Sequence, residues 1–235
     1  MVHNHPDLKL TIPGGQALFK YMDIYKLLYL LANDALYFST LASMQDVFEG
    51  RLTDKTVLQW ISPDMRKDQQ KIVIENINKM DASARAYLKV CCFSISDVEN
   101  EILWDHYGHS EYSVCLQTTL QRITEAFKNT PEDVSPGEIE YINRSEHVNK
   151  SFNLFNIASF KSEEYRAERE LRLFMLAPAL GPGVALRVDF PTLVERIIVS
   201  PKCRGWRFEV VRDLVAKYSA VLKIERSRVV YQGST

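Results

Sequence analysis

Among 235 residues there are only 4 cysteines, 9 glycines and 9 prolines, and neither sign of charge is in excess. The 29 lysines and arginines stand against 30 aspartates and glutamates, a formal net charge of −1. Each shortage excludes something. Cys91 and Cys92 are adjacent and Cys115 and Cys203 isolated, so there is no CxxC pair. A zinc site and a dense disulfide framework are both disfavoured, and reduced thiols in a cytoplasmic setting are expected. Modest glycine and proline exclude collagen-like and low-complexity chains. A charge near zero gives no whole-protein footprint for nucleic acid or an acidic membrane, so no extended nucleic-acid surface is expected, although a local basic groove is compatible with it. The longest apolar run near the front, Leu27 to Leu31, is far too short to span a bilayer. Met1 to Leu10 lacks the apolar centre of a signal peptide. There is no GxGxxG, GKS, GKT, GxSxG or HExxH. His106 and His109 lie three apart, but Gly108 intervenes and nothing selects a third ligand, so no metal is expected.

What is present is an ordinary globular balance, 46% hydrophobic and 25% charged. Residues 1–17 read as a lead-in ending in the turn cluster Pro13-Gly14-Gly15, and 18–235 as one α+β domain. A mixed or mainly antiparallel sheet with flanking helices is expected. The domain opens strand, helix, strand. Leu18 to Tyr21 is the first strand. Ile24, Leu27, Leu28, Leu30 and Leu31 follow helical spacing behind Asp23 as N-cap, with Asn33 as the stop. Ala35 to Ser39 is the second strand. Short helices are expected around Val57 to Ile61 and from Met65 to Met80. Leu88 to Ser94 is a central strand, Asn100 to His106 a helical turn, Tyr112 to Gln117 a strand and Leu120 to Phe127 a helix. Pro131 to Gly137 reads as a turn-rich linker and Glu138 to Ile142 as a short strand. Val148 to Ser159, including Phe152, reads as helix. Glu168 to Leu176 is a strand, with Val184 to Val188 as its hairpin partner across Gly181-Pro182-Gly183. Leu193 to Ser200 is a strand and Arg207 to Tyr218 an amphipathic helix. Two β-type runs, Val221 to Ile224 and Arg228 to Tyr231, close the chain.

Three segments could carry chemistry. In a strand, Glu168, Glu170 and Arg172 would share one face, with Arg169, Leu171 and Leu173 on the other. Two carboxylates so placed can shift one another's pKa or hold a cation or ribose hydroxyls. A solvated strand face laced by salt bridges would show the same spacing. Trp104-Asp105-His106-Tyr107 follows the central strand, where sites are commonly built, and could equally be a Trp-anchored loop. Asp46 and Glu49 could meet a ligand or cap a helix. Lys20, Tyr21 and Ser39 lie on the two opening strands, and their plain reading is a sheet edge.

The order of these segments resembles an uncharacterised bacterial family, domain of unknown function 2971. The matching pieces begin with Leu18-Phe19-Lys20-Tyr21, Leu36-Tyr37-Phe38-Ser39 and Phe48-Glu49-Gly50. Cys92-Phe93-Ser94 and Leu103 to Tyr107 come next, then Lys161, Glu168 to Arg172 and Ile197 to Ser200. Gln45-Asp46-Val47 stands where the family usually has Asn-Asp-Pro. The same order is similar to ADP-ribosyltransferase-like folds, which open strand, helix, strand and close the site with a Glu-x-Glu strand. That likeness implies NAD as substrate, with Tyr21 and Tyr37 flanking nicotinamide and Ser39 bracing the glutamate. It implies that Glu170 stabilises an oxocarbenium-like ribose and that Glu168 or His106 serves the acceptor. Arg172 or Lys161 would hold the pyrophosphate, and Trp104 and Tyr107 would complete a ligand pocket.

Three function classes stay open. The first is a nucleotide-utilising enzyme that transfers ADP-ribose or cleaves NAD. The second is a non-catalytic ligand-sensing or protein-binding module using the same pocket. The third is a metal-dependent nuclease built on Asp46, Glu49, Glu168 and Glu170.

Overall fold

The computed structural model describes residues 1–44, 46–108, 110–149, 153–177 and 181–230. Gln45, His109, Phe152 and Tyr231, each named above from the sequence, lie outside the described residues.

The opening unit forms as its pattern dictates. β1 (Ala17–Asp23) runs into α1 (Ile24–Asn33), and the Asp23 carboxylate accepts the Lys26 N–H at 2.8 Å, capping the helix. Leu27, Leu30 and Leu31 form its buried stripe. The left-handed turn that ends the helix falls on Asp34 (φ 45°), one residue past the expected stop. β2 (Ala35–Thr40) is next, then a loop to α2 (Asp54–Trp60) and α3 (Lys67–Tyr87). β3 (Leu88–Ile95), α4 (Glu101–Tyr107), β4 (Ser113–Thr119) and α5 (Leu120–Ala126) complete the first half. The second half contains β5 (Ser135–Glu138), β6 (Glu140–Ile142), α6 (Leu154–Ala158) and β7 (Phe160–Ser162). It ends with β8 (Glu170–Leu176), β9 (Gly183–Arg187), α7 (Phe190–Leu193), β10 (Arg196–Val199), α8 (Trp206–Ala216) and β11 (Lys223–Arg226).

One mixed sheet organises the molecule, giving the expected α+β architecture. Its path is β11-β10-β4-β1-β3-β2-β9, with β8 on β3 and β5 on β8. Only β10–β11 among these pairs is parallel. The pairing of β3 shapes the centre of the sheet. β8 covers one of its edges from Leu88 to Ser94. The other edge is shared: β1 pairs only at Ser94 and Ile95, β2 only at Lys89 and Val90. The sheet therefore forks around residues 91–93, and the Lys20 ammonium reaches into the fork to donate to the Cys92 carbonyl at 3.1 Å.

The two faces of β3 and β8 enter different cores. Cys91, Phe93, Leu171, Leu173 and Met175 join the largest apolar cluster, while Leu88, Val90 and Phe174 join a second beneath α3 and α6. Glu170 and Arg172 lie on the second face, as alternation predicts.

Several expectations change. β9 does not hairpin with β8, because β3 and β5 already occupy both edges of β8; it pairs antiparallel with β2 instead. The linker at 131–137 ends as strand β5, where Gly137 lets Leu8 and Phe174 approach to within 3.1 Å of the position a Cβ would take. Among the described residues of the helix expected over 148–159, the helical ones are those of α6, which Asn153 caps. Glu168 precedes β8, because Arg169 adopts a left-handed conformation (φ 42°) that ends a 3-10 turn and starts the strand afresh. The lead-in is packed down: Leu8 is buried and Val2 bridges Val134.

Candidate functional site

The fork opens into a cavity of about 730 Å³, within the range of small-molecule sites. Lys20 and Tyr21 line it from β1, Tyr37 and Ser39 from β2, and His106 and Tyr107 from the end of α4. Its floor is ionic, formed by Asp46, Glu49, Lys161, Glu168, Glu170 and Arg172. Five of these are assembled from segments distant in sequence. Glu49 comes from the β2–α2 loop, which the Arg85 guanidinium pins by donating to the Val47 and Glu49 carbonyls at 2.8 and 2.9 Å. Lys161 comes from β7, Glu168 from the 3-10 turn, and Glu170 and Arg172 from β8.

Arg172 is the hub and is wholly buried. Its Nη1 and Nη2 donate to the two Glu49 oxygens at 2.7 Å each. Its Nε and Nη2 donate to Glu170 at 2.7 and 3.0 Å, and Nη1 also reaches the Ala158 carbonyl at 3.0 Å. All five guanidinium N–H groups are thereby used. Lys161 sits 2.6 Å from Glu168 and 3.4 Å from both Glu170 and Glu49. Glu168 accepts the Tyr107 hydroxyl at 3.0 Å, and the Tyr141 hydroxyl accepts the Glu170 N–H at 2.8 Å.

Three carboxylates face two cations here, so the cluster carries a surplus negative charge before Asp46 is added. Burial pushes the Glu170 carboxyl up, but Arg172 and then Lys161 outweigh it and hold its pKa near about 2. Burial lowers and the carboxylates raise Lys161 and Arg172, with a net upward shift in both. Tyr107 is pushed up by burial and by Glu168, and Cys92 by burial and by Glu170. Glu170 is thus a fixed anion at neutral pH and not a proton carrier.

The geometry reassigns several expected roles. Glu168, Glu170 and Arg172 do converge, but as a buried network and not as three neighbours on one solvated strand. Arg172 has no N–H left for a pyrophosphate, and Lys161 is enclosed by three carboxylates, so neither is placed to grip a phosphate. Trp104 does not line the cavity. It is fully buried behind the Phe19 and Tyr21 wall, packed with Phe19, Cys115 and Ile198, and its indole N–H donates to Glu99 at 2.9 Å. Its expected ligand contact becomes an indirect one, an edge-to-face contact with Tyr21 at 5.0 Å. The Tyr21 hydroxyl accepts the Asn100 N–H at 2.8 Å, which fixes the ring at the cavity wall. The carboxylates expected to hold a nuclease metal are occupied: Glu49, Glu168 and Glu170 already bind Arg172 and Lys161, which a cation would have to displace.

Sequence reasoning passes over two features. Glu49 reads there as a cap or a ligand, not as half of a fork on Arg172. Tyr25 and Tyr29 also line the cavity. The signal for them is present, since they lie four apart on α1 and off its leucine stripe.

No family model and no curated protein matches the chain, so the resemblance to domain of unknown function 2971 rests on the sequence motifs alone. Among solved structures, DarT of Thermus sp. 2.9 in complex with NAD+ is similar at 12% identity and a TM-score of 0.45, over 93% of this chain and 98% of that one. The same DarT with carba-NAD+ gives 12% and 0.44 over 92% and 97%. With ADP-ribosylated single-stranded DNA it gives 13% and 0.44 over 94% and 97%. The expectation of no extended nucleic-acid surface gains no support from these neighbours. Among the described residues, no helix is long and apolar enough to cross a membrane.

Proposed function

We propose that the forked-sheet cavity binds a nicotinamide dinucleotide and carries ADP-ribosyl transfer or NAD cleavage. The support lies in the cavity's own chemistry, not in the distant DarT structures. One observation carries the reading: Glu170 is held ionised and immobile by Arg172 and Lys161 at the floor of a cavity walled by tyrosines. Breaking the bond between ribosyl C1′ and the nicotinamide nitrogen sends the bonding pair to nitrogen and leaves positive charge on the ribose. A fixed, buried carboxylate stabilises that charge with no reorganisation.

Tyr21 and Tyr37 then flank the nicotinamide ring, and Ser39, on the strand facing the floor, braces the ribose end near Glu170. His106 is exposed at the rim beside Tyr107. It is the group placed to take the proton an incoming nucleophile gives up as its lone pair closes on C1′. Glu168, tied to Lys161 and Tyr107, positions the acceptor. The test is release of nicotinamide from NAD, followed by chromatography, together with NAD binding by calorimetry. Wild-type protein should release nicotinamide, and Glu170→Gln should retain binding and lose release by a hundredfold or more, about the cost of one electrostatic group in a transition state. Folding of the variant is checked by circular dichroism.

A second reading has one observation in its favour. Both Glu170 oxygens are already engaged, which suits a rigid sensing pocket without turnover. Binding of NAD with no release under any acceptor tried would favour it.

A further inference from the structure

The cavity has a second end whose chemistry differs from the floor. Where Arg172 and Lys161 are committed to carboxylates, the other cations lining it are Lys20 and Lys26. Lys26 stands on the first turn of α1 and is largely exposed, with an exposed 3.0 Å contact to Asp23. Such a pair contributes little and yields readily to a phosphate. Around it are Tyr25, 78% exposed, and Tyr29, 48% exposed. These tyrosines are separated by one helical turn and stand off the stripe formed by Leu27, Leu30 and Leu31. Tyr29 also meets Tyr37 edge to face at 6.5 Å, so the rim aromatics continue into the cavity wall. Large flat side chains exposed beside a cation, outside the buried stripe of their helix, form a surface for a planar ring joined to a phosphate.

We infer that Tyr25, Lys26 and Tyr29 form the subsite for the adenylate half of the dinucleotide, with the adenine ring stacked on the tyrosines and Lys26 on the pyrophosphate. This rests on the proposed function and sharpens it. Anion binding moves from the saturated Arg172 and Lys161 to the start of α1. The pocket is then bipolar, with an acidic floor for the cationic ring and ribose and a basic, aromatic rim for the adenylate. Affinity should come largely from the half of the molecule that does not react.

The experiment is calorimetric titration with NAD, ADP-ribose and nicotinamide mononucleotide, using wild type, a Tyr25→Ala/Tyr29→Ala variant and Lys26→Gln. The substituted side chains are solvent-exposed, so the fold is retained. The tyrosine variant should bind NAD and ADP-ribose about tenfold or more weakly and leave nicotinamide mononucleotide unchanged. Lys26→Gln should flatten the salt dependence of NAD binding. Undiminished NAD affinity in the tyrosine variant, or an equal loss for the mononucleotide, overturns the subsite and leaves the proposed function standing. Wild-type protein that binds none of the three overturns the proposed function and the subsite with it.

Discussion

Replacing Glu49 by Gln tests the buried network most directly, because it removes one charge while keeping size and shape. In the native protein both Glu49 oxygens accept from Arg172 at 2.7 Å, and Lys161 lies 3.4 Å away. The amide oxygen of Gln can keep one of those bonds. Its NH2 must then face an Arg172 N–H, donor against donor, at a position almost closed to solvent. Removing one partner of a buried ion pair costs roughly 3–5 kcal/mol. Arg172 keeps Glu170, so the lower end applies, about 3 kcal/mol. For a chain of this length that corresponds to a fall in Tm of about 6–12 °C. Scanning calorimetry measures it, with far-UV circular dichroism to confirm that secondary structure is intact. The double variant Glu49→Gln/Arg172→Met should be less destabilised than the sum of its parts by more than about 1 kcal/mol, since each single change strands the other's charge. A Tm within about 2 °C of wild type for Glu49→Gln, or additive single effects, would refute the claim that Arg172 depends on this fork.

Other outcomes can be read from the same structure. The Glu170 pKa, held at about 2 against an ordinary value of 4.5, contributes stability that is fully present above the ordinary value and lost as pH falls toward 2, on the order of 3 kcal/mol in all. Urea midpoints between pH 6 and pH 3 should fall more steeply for wild type than for Glu170→Gln; equal slopes count against it. Gly108→Ala would put a methyl 2.7 Å from both the buried Trp104 ring and the Trp104 carbonyl oxygen, an overpacking clash of about 1–3 kcal/mol, read as a lower Tm and a shifted tryptophan emission; an unchanged melt would count against this close packing. Asp23→Ala removes the α1 cap and should cost about 1 kcal/mol. It should also raise NAD affinity slightly by releasing Lys26, and weaker binding would argue against that lysine's role.

The parts of the fold that could be read from residues alone are those where local pattern and tertiary context agree. Asp23 and the leucine spacing define α1, and the apolar run at 88–94 marks β3. The parts that could not be read are set by partners far away in sequence. Nothing near Val184 says that β2 and not β8 receives it, because that is decided by β5 filling the edge of β8. In the site, Glu170 and Arg172 are legible as a pair from strand alternation, but their burial is not. A run of charges looks solvated until Glu49 arrives from a loop 123 residues away in the chain. Trp104 misleads for a related reason. Its sequence neighbours His106 and Tyr107 do reach the cavity, yet the turn of α4 points the indole down onto the sheet, behind Phe19 and Tyr21.

That long separation also bears on how the protein reaches its native state. Pairing of β8 with β3 carries Arg172 into the buried interior. Until the β2–α2 loop brings Glu49 and β7 brings Lys161 alongside, the growing core holds a poorly matched guanidinium and carboxylate. Docking of these segments is therefore concerted with sealing the interior, and contacts of such sequence span form slowly. The second core and the ionic floor of the cavity share one strand face, so in the native structure neither is complete without the other.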